Sequence, residues 1–450
     1  MSGIGTGRAS WLGRLRVQLG YACKIYLHLP VTFFKRVLFG RDPYWKAYFW
    51  NKWGFVGKDL RKLVSGKKLI WVDVLSGGEV MQIFSFVRIL KGFLPDHDIV
   101  VSTNNKYSCD VARGMPEVAY VFDTPWDLRH AVRRALKRMR PDGLVCIENA
   151  PFPVLLRQAQ KMGVKTILCS GFMTKDYDRH ENLWRAVPLG SYNQLDCIGA
   201  KSKEDAAGFA RMGIPPEKIA IVGNMRFDPA FQRLSAAAKE ELRRSLGIPN
   251  GCKIFVAGSV RVKEEAVILE AFARAKKRYG ELFLLFAPSF FSPELDVDGT
   301  AQKLGLKTTL RSKIDGKASV DADLVIVDTF GELSRLYSLA DFIFIGGSLN
   351  PASRLGYGNN IIEPLVHGCP IFFGPHMNRW TEITESLMAV YPGLKIRSAG
   401  ELAENLVFLM NHEEVVRDLE DRALSIVRGN GDAPRKNAEF VRDAILSTAP

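Results

Sequence analysis

Leu69-Ile70-Trp71-Val72-Asp73-Val74-Leu75-Ser76-Gly77-Gly78-Glu79 is the stretch that decides the fold. An apolar run without polar alternation predicts a strand covered on both faces, as in a parallel sheet. Two glycines then let the backbone turn sharply. Helical spacing of apolar residues follows over 80–94. Strand, tight turn and helix make the first half of a βαβ unit.

The same alternation repeats outward from there. Strands are expected at 99–102, 119–122, 144–147, 166–169, 196–200 and 219–222, with helical patterns such as 126–139 and 152–162 between them. Gly223-Asn224-Met225-Arg226-Phe227-Asp228-Pro229 interrupts the rhythm. After a helix over 235–246 it restarts, with strands expected at 254–257, 282–286, 324–327, 342–345, 371–373 and 394–396. The reading is an α/β protein with two doubly wound, Rossmann-like domains, residues 68–229 and 230–432, facing across a cleft in the GT-B manner. A C-terminal helix in residues 433–450 is placed to cross back to the first domain.

Length and charge narrow the chemistry. A chain of 450 residues that is 47% apolar and 24% charged is globular and too long for one ordinary domain. Its cysteines (Cys23, Cys109, Cys146, Cys169, Cys197, Cys252 and Cys369) are scattered and odd in number, and predict reduced thiols without a zinc site. The net charge of +14 is unevenly placed. Residues 1–68 hold 14 Lys and Arg against Asp42 and Asp59, together with four of the eight tryptophans.

Residues 1–67 are therefore read as a basic, aromatic segment for an anionic membrane surface, where Lys and Arg meet lipid phosphates and aromatic rings sit at headgroup depth. The longest uncharged run, 25–34, falls short of the ~18–20 residues that span a bilayer. No nucleic-acid motif accompanies the charge. A peripheral helix packed on the first domain is the plainer alternative.

Glu79 sits at the carboxyl end of the first strand, where open α/β sheets bind ligands, and a carboxylate there can take a proton from a hydroxyl. A helix-start role through the dipole accounts for it equally simply. Glu148 ends another strand, and the same two readings apply. In the second domain, Gly346-Gly347-Ser348-Leu349 closes a strand, Gly356 and Gly358 follow, and a helix is expected over 360–367, beginning at Asn360 with Glu363 one turn in. Glycines before a helix N-terminus suit a phosphate, and Glu363 suits ribose hydroxyls. Asp328-Thr329-Phe330-Gly331-Glu332-Leu333 is a second turn of this kind. Asp321-Ala322-Asp323 has a metal-binding spacing but precedes a strand, so no metal and no cofactor is expected.

In this order, these turns resemble the 3-deoxy-D-manno-octulosonic acid (Kdo) transferases that act on the lipid A precursor. The family's Ser-x-Gly-Glu matches Ser76, Gly77, Gly78 and Glu79, which implies an acceptor loop and Glu79 as general base. Glu148 inherits a transition-state role, although the family's second glutamate is Ala150 here. Arg226 stands where the family has a stabilising lysine, and keeps the charge but alters its geometry. The donor-side likeness implies that Pro288, Ser289, Phe330, Gly331, Glu332, Asn360, Ile361, Ile362 and Glu363 contact CMP. Ser289 replaces an arginine, Asn359 a histidine, and Ser170-Gly171-Phe172-Met173-Thr174 departs from the family's Asn-Ala-Arg-Leu-Ser.

The resemblance implies an inverting, metal-independent glycosyltransferase moving Kdo from CMP-Kdo to a lipid A precursor in lipopolysaccharide biosynthesis. Its place would be the cytoplasmic face of a bacterial inner membrane. The competing readings are a UDP-sugar transferase or epimerase of the same fold, and a membrane-associated pseudo-enzyme.

Overall fold

The computed structural model describes residues 43–447, apart from 58–59, 61–67, 76, 151, 174–191, 228–233, 290–293, 317–318, 330 and 351–357. Most of the 1–67 segment, Ser76 and Phe330 thus lie outside the described residues. The chain divides into two compact units, Met1–Ala230 with Asp432–Pro450, and Phe231–Gly431.

The first unit is built on β1 (Lys68–Asp73), β2 (His97–Thr103), β3 (Val118–Asp123), β4 (Gly143–Ile147), β5 (Lys165–Gly171), β6 (Cys197–Ala200) and β7 (Ile219–Ile221). They form one parallel sheet in the order β3-β2-β1-β4-β5-β6-β7. Successive side chains of a strand face opposite ways, so β1 feeds two cores. Leu69 and Trp71 join Val132, Leu136, Leu155 and Phe209 on one face. Ile70 and Val72 join Phe86, Leu90 and Val441 on the other. The order reverses between β1 and β4, which places a ligand crevice at their carboxyl ends.

The second unit carries β8 (Lys253–Val260), β9 (Leu282–Pro288), β10 (Thr308–Leu310), β11 (Leu324–Ile326), β12 (Phe342–Ile345) and β13 (Ile371–Phe373), parallel in the order β10-β11-β9-β8-β12-β13. Its reversal lies between β8 and β12. Both units are Rossmann-like.

The helix Ala433–Leu446 belongs to the first unit. Ala438 and Val441 enter its core, a Cβ on Gly143 would collide with Ile445, and one on Gly199 would stand 3.2 Å from Phe440. Asn437 is fully buried; its amide donates to Val222 O and its Oδ1 accepts from Ser170 N at 3.0 Å.

Three expectations need correcting, and one strand was not expected. The helix over 80–94 is two helices, Gly77–Met81 and Phe84–Phe93, because Ile83 N bonds Val80 O in a tighter turn. The apolar period of Val80, Ile83, Phe86, Val87 and Leu90 continues across that turn and hides it. Residues 394–396 are not a strand. Pro392-Gly393 sets a 3₁₀ turn, leaving a single bridge from Lys395 to Phe373. The helix beginning at Asn360 shrinks to one turn, Ile362–Leu365. β10 had no counterpart in the sequence pattern, being three half-buried residues.

Candidate active site

In the first unit, Glu79 stands on the helix that follows β1, and Glu148 follows β4 directly. These strands are neighbours, with Asp73 paired to Cys146, so the segments that lead to the two carboxylates leave the sheet side by side. Glu79 is 7% exposed, and its Oε2 accepts from Leu75 N at 2.6 Å. The bond fixes the turn from β1 into the helix, and Glu79 stands in that helix's first turn.

Glu148 is fully buried and adopts the left-handed region, with φ 60°. Its Oε1 accepts from Arg226 Nε at 2.7 Å. Arg226 is held by its own loop: its N–H donates to Asn224 Oδ1 at 3.1 Å, and Met225 N donates to Ser170 Oγ at 3.1 Å. Ser170, in the segment that departs from the family pattern, thus anchors the arginine's loop. A guanidinium bonded to a buried carboxylate offers a fixed positive charge that needs no reorganisation when negative charge develops beside it.

A second polar cluster closes the ends of β1, β2 and β3, and sequence reading missed it. Asp73 Oδ1 accepts from Ser102 Oγ and from Thr124 Oγ1, and Trp71 Nε1 donates to Ser102 Oγ. Burial raises the Asp73 carboxyl, against the pull of these bonds and of Lys52. Asp123 accepts from Tyr44 and Asn51 of the helix Pro43–Lys52. Lys52 donates to Asn104 Oδ1 at 2.7 Å, and burial pushes its ammonium down to about 8. Asp127, receiving Val154 N and Leu155 N, is pushed up to about 7, chiefly by burial.

In the second unit the organising residue is Glu264, which sequence reading also missed. It is fully buried and accepts four backbone N–H groups: Arg261 at 2.9 Å, Gly347 at 2.7 Å, Leu349 at 2.8 Å and Asn350 at 3.1 Å. It ties the loop after β8 to the loop after β12, across the point where strand order reverses. Asn359 donates to Ser259 O and Gly346 O and accepts from Arg261 Nη2 at 3.1 Å. Ser259 and Lys263 hold positive φ without being glycines, which composition does not reveal.

The donor-side candidates fall around this knot unevenly. Pro288 ends β9, and Ser289 donates to Val260 O and Ser259 O, the two residues that precede Arg261 in the chain. Gly331 takes φ 82° with open space where a Cβ would stand. Glu332 pairs with Arg311 and accepts from Thr329. Asp328 is held below its ordinary value; burial opposes this, and the Ser312 hydroxyl and amide outweigh it. Asn360 Oδ1 accepts from Ile362 N. Ile361 and Ile362 are fully buried, so only their backbone can meet a nucleotide. Glu363 is half-buried, and its charge adds to the burial that raises Tyr337. Asp321 is paired with Lys307, and Asp323 with Lys276. Among the described residues no group of three His, Cys, Asp or Glu is arranged to hold a metal ion.

Comparison with known proteins now bears on this geometry. The family profile of the 3-deoxy-D-manno-octulosonic-acid transferases (kdotransferases) matches residues 48–229, a stretch of the first unit that holds all three of Glu79, Glu148 and Arg226. A 3-deoxy-D-manno-octulosonic acid transferase of Chlamydia pneumoniae is 23% identical over 396 residues, 87% of each chain. That of Chlamydia trachomatis serovar A is 23% identical over 440 residues, 97% of this chain and 98% of the relative. Residues 48–229 thus carry the Kdo transferase family's domain, and Kdo transferases are similar to this chain over most of its length. Kdo transferases are glycosyltransferases, and the likeness runs through both units. The Haemophilus influenzae Kdo transferase is 22% identical, covering 89% of this chain and 92% of its own. Among solved structures, MnaA of S. aureus with UDP has a TM-score of 0.59 at 14% identity, covering 85% of this chain and 99% of its own. A glycosyltransferase of Rickettsia africae has a TM-score of 0.56 at 13%, covering 85% and 100%. At that identity the likeness is one of fold.

Proposed function

We propose that this chain belongs to the Kdo transferase family and moves Kdo from CMP-Kdo to a hydroxyl of a lipid A precursor, with inversion and without a metal ion. The observation that carries the reading is the buried Arg226–Glu148 pair at the strand-order reversal of the first unit, where the helix of Glu79 also begins. Glu79 takes the proton of the acceptor hydroxyl. The freed oxygen forms its bond to the anomeric carbon as the bond from that carbon to the phosphate oxygen breaks, and the electron pair leaves with CMP. One displacement inverts the centre. Arg226 offsets the negative charge of the sugar carboxylate or the departing phosphate. The loops that Glu264 ties together, with Arg261, Gly331 and Glu363, hold the cytidine nucleotide. These two arginines supply the positive charge that a metal ion brings elsewhere.

A phosphorylated, amphipathic acceptor resides in a membrane, and the basic aromatic N-terminal residues suit attachment at the cytoplasmic face of the bacterial inner membrane. No helix among the described residues is long and apolar enough to cross one.

The test is incubation with CMP-Kdo and a lipid A precursor, followed by mass spectrometry of the lipid. A mass increase of one or more Kdo residues is expected. Calorimetry with CMP and UDP checks the donor, and a preference for UDP would overturn that assignment.

A further inference from the structure

The helix Arg129–Met139 buries Ala131, Val132, Ala135, Leu136 and Met139. Every other position on it is basic: Arg129, His130, Arg133, Arg134, Lys137 and Arg138. Arg140 follows, and no acid occurs between Asp127 and Asp142. Lys137 and Arg138, in the last turn, suit the helix dipole, but the rest of this placement works against the helix. Arg129, Arg133 and Lys137 are like charges at i,i+4 spacing, which repel, and cations in the first turn oppose the dipole. Among the described residues, none of these side chains is recorded in an ion pair. A face that costs its own helix stability is explained by an external anion.

Two exposed aromatic rings adjoin it. Trp50 is 47% exposed and Phe55 43%, and they meet edge to face at 5.3 Å. The Arg134 guanidinium lies 4.0 Å over the Phe55 ring and donates to Trp53 O at 2.7 Å. Trp53 stacks on His130 at 5.2 Å. Gly54, at φ 77°, lets the chain lie directly on the helix, since a Cβ there would stand 2.0 Å from Ala131 O. The rings and the cations therefore form one rigid surface.

We infer that this surface, on the folded first unit, docks on an anionic lipid bilayer independently of residues 1–42. Cations beside exposed Trp and Phe suit phosphate headgroups above acyl chains. Single-stranded nucleic acid needs open ring faces for stacking, whereas the Phe55 face is covered by Arg134. The inference rests on the membrane reading above for its partner, but assigns the contact to different residues.

The full chain and its Arg129→Gln/Arg133→Gln/Lys137→Gln variant are sedimented with phosphatidylcholine vesicles, with and without one-fifth phosphatidylglycerol. The variant is expected to lose about tenfold or more in affinity for the anionic vesicles, since each basic residue near such a surface contributes several-fold. Trp50→Ala/Phe55→Ala is expected to weaken binding as well. The equally charged control Arg417→Gln/Arg422→Gln/Arg428→Gln, at exposed positions of the helix Glu413–Asn430, should bind as the unchanged chain does. If the triple variant does not fold, Lys137→Gln alone should show a loss of about threefold. Unaltered vesicle binding by the variants overturns the inference and leaves the membrane reading with residues 1–42. Equal loss in the control overturns it too. Failure of the unchanged chain to bind any vesicle sinks both. Tighter binding to a DNA duplex than to vesicles, lost in the triple variant, reassigns the face and overturns the inference.

Discussion

Arg226 donates from Nε to Glu148 Oε1 at 2.7 Å, and the side chains are 10% and 1% exposed. Glu148 follows β4 and Arg226 follows β7, with β5 and β6 between them, a span of about 14 Å across the sheet. The loop after β7 must run back over the strand ends to make this contact. Ser170 at the end of β5 secures it, its Oγ accepting from Met225 N while Asn437 holds the Ser170 backbone.

Removing one member of a buried pair leaves the other charge uncompensated, at a cost of about 3–5 kcal/mol. Arg226→Ala is expected to lower stability by that order and to depress transfer. Glu148→Gln/Arg226→Met should be less destabilised than the sum of its single changes, by about 0.5–3 kcal/mol. Denaturant unfolding of the four proteins measures the coupling; strict additivity would mean the contact contributes nothing.

Glu79→Gln keeps an oxygen for Leu75 N, so the helix start should survive while the base is lost. Transfer is expected to fall by about 10²–10⁴-fold, with CMP affinity unchanged by calorimetry. Unchanged turnover would remove Glu79 from the chemistry.

Glu264→Ala strips an acceptor from four backbone N–H groups, of which that of Gly347 is buried while Asn350 is exposed. At about 1–3 kcal/mol for a buried group left unsatisfied, a loss of about 1–3 kcal/mol is expected. CMP binding should weaken along with it, because both loops relax together. Calorimetry on the folded variant at low temperature separates the two effects. Wild-type CMP affinity there would show that the knot serves stability alone.

Asp127 supplies a pH dependence. Burial, with the charge of Asp73 adding to it, pushes the carboxyl up to about 7, against the Val154 and Leu155 amides and Arg157. Between about 4, its ordinary value, and about 7, the folded protein holds a proton that the unfolded chain has released. This group's contribution therefore falls as pH rises through that window. Asp127→Asn, which keeps a carbonyl oxygen for the two amides, should flatten the curve and gain on the unchanged chain towards pH 7. Urea midpoints at pH 4, 5.5 and 7 test it; an unaltered slope would show that Asp127 does not titrate there.

The strands were legible because parallel strands buried on both faces are continuous apolar runs, and only such runs cover a sheet between helices. β10 and the 394–396 segment were misread for the same reason. Three residues of half-buried strand leave little pattern, and Leu394-Lys395-Ile396 has the alternation of a strand but pairs at one residue. Glu79 and Glu148 could be singled out from position alone, since Glu148 follows a strand directly and Glu79 stands in the first turn of the helix after one.

Primary structure alone was enough for two βα-repeating units, the carboxylates at their strand ends and the basic aromatic N-terminal segment, because these are matters of local order and composition. Only the folded chain decided that Arg226 answers Glu148, that Glu264 gathers two loops, and that Lys52 is buried beside Asn104. Those contacts join residues 78, 85 and 52 positions apart. No periodicity spans such separations. They exist because parallel strands bring distant loops to one edge of a sheet, where buried polar groups must find one another or remain unsatisfied.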